Sequence, residues 1–564
     1  MFYSQNGFKN RMIGIIYTFV LFQLTIFSVC SQTVVYPFPA GATASSQYTV
    51  KVNNINSFVF PTTFVAGNGA SRGAFTSFST SVSVTVTVTT NVDITSVTIR
   101  PLKLGLTYTK TATRTFTMNV PSDCNLSVEV NGNVATPLYV FSNPLEVNVP
   151  SPSDPNVKYY AAGQVYTENI TPKAGQTIYI AGGAIVRGNI TCTGVSNFTV
   201  RGRGILDSSV NPTMSRTVRV IGGNNIIFEG IVFHNVQSWN VVFGTCDGVT
   251  INNIKAISTP DAECDALDIV GCRNVSVNGG FFRSEDDCIT IKSTKDGYNL
   301  GVGNPENIRV DGAVVFNGHR GNALEIGYEL NGIQDANGQS TVSNIRFSDI
   351  DIIHKGTAID GSTNRRSAMS IHNNENARVS NVSYENIRIE DCEENYVYLG
   401  VIKTSGAVDQ INRGSIDSVY FKNIQITGGD LTLPSSIYGF DASAQVQNIT
   451  FDNFKIGNNV VNSALKMKLN TNSFVANIVF KNTLTDSNRV ELLSPVIYPT
   501  TCENDLFIVG CDRATYTIVD VAGKTFLSGI VQNQPISVTS LISGNYFIYF
   551  NLDKQNAARK FIKK

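Results

Sequence analysis

Apolar and polar residues follow two different rhythms along this chain, and the change between them divides it. Residues 81–90 read SVSVTVTVTT, valines on one face and Ser/Thr on the other, which is the period-two pattern of a half-buried strand. Stretches at 97–99, 115–120, 126–130 and 138–141 continue it, with turns at Asn131-Gly132 and through the PSPSDP run at 150–155. Residues 33–155 are therefore expected to form a β-sandwich. Beyond 155 a unit of the form Asn/Asp/Gly–apolar–x–apolar recurs without helical stretches between copies. Its first apolar residue falls at Phe198, Ile226, Val249, Val275, Ile308, Ile345, Val382, Val419, Ile449 and Ile478, at intervals of 23 to 37 residues.

A short β unit repeated at this spacing cannot bury its own apolar residues and must stack on its neighbours. A propeller blade needs about 40 residues and four strands, so a right-handed parallel β-helix over 156–490 fits better. Asn at the recurring turn suits left-handed backbone and side-chain hydrogen bonds between coils. The expected fold is all-β: an N-terminal β-sandwich, a right-handed parallel β-helix, and a small β domain over 491–564.

Composition narrows the function. Lys+Arg and Asp+Glu balance at 43 each, so no basic field exists to hold nucleic acid. Lys9 and Arg11 precede an apolar run at 12–29 that reads as a signal peptide within 1–32, a membrane anchor being the competing reading. No later stretch is apolar enough to span a bilayer, so no membrane span is expected in the mature protein. Nine of the ten cysteines follow that segment, none with zinc spacing. Cys246, Cys264, Cys272 and Cys288 read as buried small side chains, and Cys502 with Cys511 as the pair able to clip a loop. Seven N-x-S/T sequons occur, at Asn125, Asn169, Asn189, Asn197, Asn274, Asn381 and Asn448.

Only 15% of residues are charged, so the acids between 261 and 292 stand out. Asp265 lies 21 and 22 residues before Asp286 and Asp287, about one coil, which would place them on adjacent strand starts. Crowded carboxylates hold one proton and lose another, which is what glycosidic hydrolysis needs from an acid and a base. Side-chain parity sends Asp286 and Asp268 outward and Asp265 inward, with Asp287 inward too unless the turn resets the register, so periodicity alone cannot choose between Asp265 and Asp268. Turn capping is the competing use of any single Asp.

The runs CDALDI, SEDDCITIK and GHRGNALEIGYE resemble, in order, the motifs of β-helix glycoside hydrolases, namely the polygalacturonases (family 28). The resemblance covers about residues 160–480. It implies an exported polysaccharide hydrolase of inverting mechanism, with Asp286 as general acid and Asp265 and Asp287 activating water; it selects Asp265 over Asp268. The third motif is longer, closer to dextranases and isopullulanases (family 49). Their sandwich-to-helix junction is also resembled by VTIRP, PLYVFSNP and the run from IYIAGGAIVRGNI to GRGILDSS. Where polygalacturonases carry an R-I-K strand for the substrate carboxylate, AMSIHN places Ser370 and His372. His319 is a further catalytic candidate, and Lys292, Glu325, Tyr328, His372 and Trp239 are candidate substrate contacts. No metal or cofactor is expected, and the chain is expected to be monomeric. A polysaccharide lyase and a non-catalytic glycan-binding solenoid are the rivals. The C-terminal run with VDVAGK, ISVTSLISGNYFIYF and KFIKK resembles the sorting domain of the type IX secretion system, which implies a secreted or surface-held protein with that machinery as a partner.

Overall fold

In a computed structural model, the described residues are 32–564 except 63, 67–68, 72, 209–215, 236–237, 259–262, 295–298, 358–364, 484–495, 499–500, 510–513, 532–534 and 553–554. The expected signal segment (all but its last residue), Asp261 and Cys511 fall outside them. No helix among the described residues is long and apolar enough to cross a membrane.

The N-terminal part is a sandwich of a six-stranded and a five-stranded sheet. The alternation read from the sequence sets its core. In Val84–Thr90 the three valines are buried and Thr85 and Thr89 are exposed. From Val157–Tyr160 onward the chain winds as a parallel β-helix with sheets of twelve, twelve and ten strands, closed in the second sheet by one antiparallel pair. The ten repeat positions form one continuous row of the first sheet. Phe198 pairs with Ile226, Ile226 with Val249, and so on without a slip to Ile449 with Ile478. All except Ile478 are buried and the row feeds a single long core.

The turn before that row is an asparagine ladder. Asn274, Asn307 and Asn344 have φ of 54°, 56° and 59°, and each Nδ2 donates to the side-chain oxygen one coil earlier, at 2.6, 3.1 and 3.1 Å. Asn tolerates this left-handed geometry while bonding along the stack. Four sequons belong to the ladder, at Asn197, Asn274, Asn381 and Asn448. Their N-x-S/T pattern is ladder Asn, inward apolar residue, outward hydroxyl.

The sandwich docks on the second sheet. Phe60, Phe75, Tyr139 and Phe141 pack against Ile205, Val232, Phe281 and Phe316 of the helix. At the rim, His354 of the helix bridges Glu129 of the sandwich at 2.7 Å and Asp391 at 2.9 Å. This leaves the third sheet open. Its consecutive strands β1 (Leu267–Val270), β2 (Ile289–Ser293), β3 (Leu324–Leu330), β4 (Ser367–Asn373) and β5 (Asn395–Val401) carry the site. Residues 483–564 form a separate compact unit around Leu506, Ile518, Ile548 and Phe561.

Candidate active site

Strands β1 and β2 pair with Leu267 opposite Ile289, which puts Asp265 and Asp287 at the same place on neighbouring coils, two residues before each strand. The Asp287 N–H donates to Asp265 Oδ1 at 3.2 Å. One residue before Asp287, Asp286 is held by its own N–H on Ser284 Oγ (3.0 Å) and by the Glu263 N–H on its Oδ2 (2.7 Å). One oxygen from each of the three carboxylates lies within 4.8 Å of the other two. The turn ahead of the strands resets the register that simple alternation would have imposed. The three acids line one cleft of about 610 Å³ together with Trp239, Lys292, Tyr328, Glu329, Arg365 and Arg366, among others.

Asp265 is 2% exposed and Asp287 5%, whereas Asp286 is only half-buried. Asp268, buried beneath the cleft, does not line it. The ammonium of Lys292 sits 2.7 Å from Asp265 Oδ2, 3.2 Å from Asp268 Oδ1 and 3.8 Å from Glu329. Burial alone would lower the Lys292 pKa, but these carboxylates and Asp287 lift it well above the usual range. Burial raises Asp265 well above the usual carboxylate range, and Lys292 opposes the rise. Burial, then the charges of Asp286 and Glu325, push Asp287 up to about 8. One buried ammonium cannot neutralise three buried carboxylates, so the cluster retains a proton near neutral pH. The carboxylates are close enough to share a cation, but Lys292 supplies positive charge there, and they are not assigned as metal ligands.

The remaining sequence candidates fall in three places. Lys292 and Tyr328 line the cleft, but Lys292 is committed to carboxylates rather than open to sugar hydroxyls. Trp239 lines it too, 5% exposed, and the Lys292 Nζ lies 3.7 Å from its ring centroid, so a cation covers a face that had been expected to stack on sugar. Glu325 and His372 were expected to point outward to substrate; both are fully buried. His372 Nδ1 pairs with Glu325 at 2.9 Å, its Nε2 meets the Arg365 carbonyl at 3.1 Å, and its ring is stacked between Tyr328 and Tyr398 at 4.3 and 4.6 Å. His319 lines a different, small cavity with Arg283, Asn317 and His354. Its N–H donates to Glu285 and its Nδ1 faces the Thr357 carbonyl at 3.3 Å, and it is not among the residues lining the cleft of the three acids. Arg365 and Arg366 were missed. Their signal in the sequence is an adjacent cation pair just ahead of AMSIHN, outside the strand that the motif comparison covers.

Residues 160–457, more than half of the chain, match glycosyl hydrolases family 28. The chain belongs to that family. This family 28 chain is 25% identical over 186 residues to polygalacturonase QRT2 of Arabidopsis thaliana, covering 30% of this chain and 37% of that protein. It is 22% identical over 284 residues to a polygalacturonase of Cryptomeria japonica, covering 43% and 51%. It thus spans about half or less of the length of these curated relatives. Among solved structures it is similar to Dex49A from Penicillium minioluteum, with TM-score 0.50 and 15% identity over 79% of this chain and 96% of that one, a likeness of fold. Residues 496–564 match a secretion system C-terminal sorting domain, and the family 28 protein is secreted or held at the cell surface.

Proposed function

We propose that the protein hydrolyses glycosidic bonds of a polysaccharide laid along the third sheet, with Asp286 as general acid and Asp265 and Asp287 activating the water. The observation that carries this is the convergence of three carboxylates from adjacent coils in one open cleft. Asp286 is the least buried of the three and the one a leaving oxygen reaches first. A raised carboxyl pKa brings the water-activating Asp265 and Asp287 toward the working pH. Asp286→Asn and Asp265→Asn are each expected to abolish reducing-sugar release with the fold kept, checked by circular dichroism. Full activity in either variant would overturn the assignment.

The stereochemical outcome is proposed as inversion, on the family resemblance. Inverting pairs usually stand about 6.5–9.5 Å apart and retaining pairs about 5–5.5 Å, measured between carboxyl groups; here the 4.8 Å limit applies to the nearest oxygens of three carboxylates. Two carboxylates acting jointly on one water differ from the simple two-carboxylate arrangement. NMR of the first-formed anomer decides the matter, retention refuting the proposal.

Arg365 and Arg366 favour an acidic polysaccharide such as polygalacturonate, since guanidinium is the natural carboxylate partner. A neutral glucan is the second reading, favoured by Ser370 and His372 on β4 where the resemblance expects cations. A screen of polygalacturonate, dextran, pullulan and arabinan separates them. A calcium-dependent rise in ultraviolet absorbance from an unsaturated product would instead indicate a lyase. The type IX route is proposed for export, with segments 1–32 as signal, 33–155 as sandwich, 156–490 as catalytic helix and 491–564 as sorting domain.

A further inference from the structure

Lys292 was expected to touch sugar, yet it is 4% exposed and its ammonium is spent within the protein. It lies on β2 and reaches Asp265 at 2.7 Å, Asp268 of β1 at 3.2 Å and Glu329 of β3 at 3.8 Å, while Trp239 covers it at 3.7 Å. Trp239 itself packs with Ile221, Val242, Val270 and Leu300, and Arg216 lies 5.2 Å from its ring centroid. The aromatic face attracts the cation, and the apolar cluster fixes the face.

We propose that Lys292, seated on Trp239, is a positioning residue that keeps Asp265 able to ionise as the water-activating base. This rests on the catalytic reading above and adds a residue that touches no reacting atom. The groups facing Asp265 are Asp268 on the adjoining strand, Lys292 on β2, and Asp286 and Asp287 on the next coil. Lys292 also meets Glu329, and Arg216 acts on Asp268. Among the described residues, the charges that act most strongly on Asp265 are Lys292 and the negative Asp268, Asp287 and Asp286. An opposite charge at contact favours the ionised carboxylate by about 1–3 pH units. Removing it leaves Asp265 protonated until higher pH. Removing Asp268, which shares the same ammonium and repels Asp265, acts in the opposite direction.

Trp239 is the only tryptophan and lies beside the ammonium, so its emission, excited selectively over tyrosine, reads the cluster without substrate. In the full-length protein the emission should change as the coupled carboxylates ionise, and the midpoint of that step is the readout. Lys292→Met should move that step up by about 1–3 pH units, Lys292→Arg should leave it in place, and the near-isosteric Asp268→Asn should move it down. On polygalacturonate, or on the screened polysaccharide that is cleaved, the acidic limb of kcat should follow the same shifts with KM little changed. An emission step that stays put in both Lys292→Met and Asp268→Asn overturns the proposal. So does a rise in KM without a shifted limb, which would mean that Lys292 binds sugar. If Lys292→Met fails to fold, the direction of the Asp268→Asn shift alone decides. Full activity in Asp286→Asn would refute the catalytic reading instead. An inactive Asp286→Asn with unshifted emission would refute only the role of Lys292.

Discussion

Asp287→Asn should make the protein more stable while disabling it, and the gain should grow with pH. Asp287 is 5% exposed, and its carboxyl is pushed from the usual 3.8 to about 8, mainly by burial and then by Asp286 and Glu325. A folded-state pKa raised above the unfolded one means stability that is fully present below the unfolded value and lost as pH rises through the folded value. The wild type therefore loses stability progressively between about pH 4 and pH 8 at this group. About four pH units at about 1.4 kcal/mol each set a ceiling of about 5–6 kcal/mol above pH 8, and about 4 kcal/mol at pH 7. The asparagine keeps the acceptor oxygen for the Asn322 N–H at 2.7 Å and its Nδ2 at 3.0 Å, and it cannot ionise. Because the neighbouring acids titrate with Asp287, about half the ceiling should be recovered, about 2–3 kcal/mol at pH 8. Urea unfolding of wild type and variant at a series of pH values from 4 to 8.5 measures it. A gain that is the same at pH 4 and pH 8, or a loss at pH 8, would refute the reasoning.

Other consequences can be checked separately. Replacing both Arg365 and Arg366 by Gln should raise KM on polygalacturonate about tenfold or more with kcat less affected, since a charge-assisted hydrogen bond contributes about 1.5–3 kcal/mol; unchanged KM would favour the neutral-glucan reading. Glu129→Gln, which breaks the buried contacts to His354 and Arg100, should cost about 3 kcal/mol in urea unfolding. Burial opposes, but His354 and Arg100 outweigh it and lower Glu129, so its contribution is present above about pH 4.3 and lost as pH falls through its folded pKa. Burial likewise opposes the rise of His354 that Asp391 and Glu129 produce, so its contribution is present below about pH 6.5 and lost as pH rises through its folded pKa. The cost of Glu129→Gln should therefore be largest between those limits. Asn344→Ala should destabilise by about 2–3 kcal/mol and Asn344→Gly by about 1–2, because Gly loses the ladder bonds but tolerates φ of 59°.

The ten apolar positions from Phe198 to Ile478 announced the coil and its register because stacking repeats one local requirement: an inward apolar residue after a left-handed Asn. Insertions change the interval without touching that requirement, which is why intervals of 23 to 37 residues still give an unbroken row. The one-coil spacing between the acids near 265 and those at 286 and 287 was legible for the same reason, but the choice of Asp265 over Asp268 came from the family motifs. Parity failed at Asp265 and Asp287 because both lie in the turn, where alternation no longer dictates direction.

What the strand pattern could not reveal is which outward positions remain outward. Alternation marks Glu325, Ser370 and His372 as pointing away from the coil's core, and they do. The protein then covers them: Tyr328 and Tyr398 sandwich His372, and Arg365 turns its carbonyl onto Nε2. A side chain outside the inner core is thus inside a second layer, built by Tyr328 of β3 and Tyr398 of β5 on the flanking strands and by the turn at Arg365. This layer moves the cations off β4, where the resemblance expected them, to the turn that precedes it. Glu325 and His372 therefore belong to the support of the cleft, and Arg365 and Arg366 to its surface. If that division holds, His372→Gln should act on substrate affinity only through the arginine turn, and its effect should vanish once both arginines are already replaced. An equal KM increase for His372→Gln in the wild-type and Arg-less backgrounds would place His372 in contact with sugar after all.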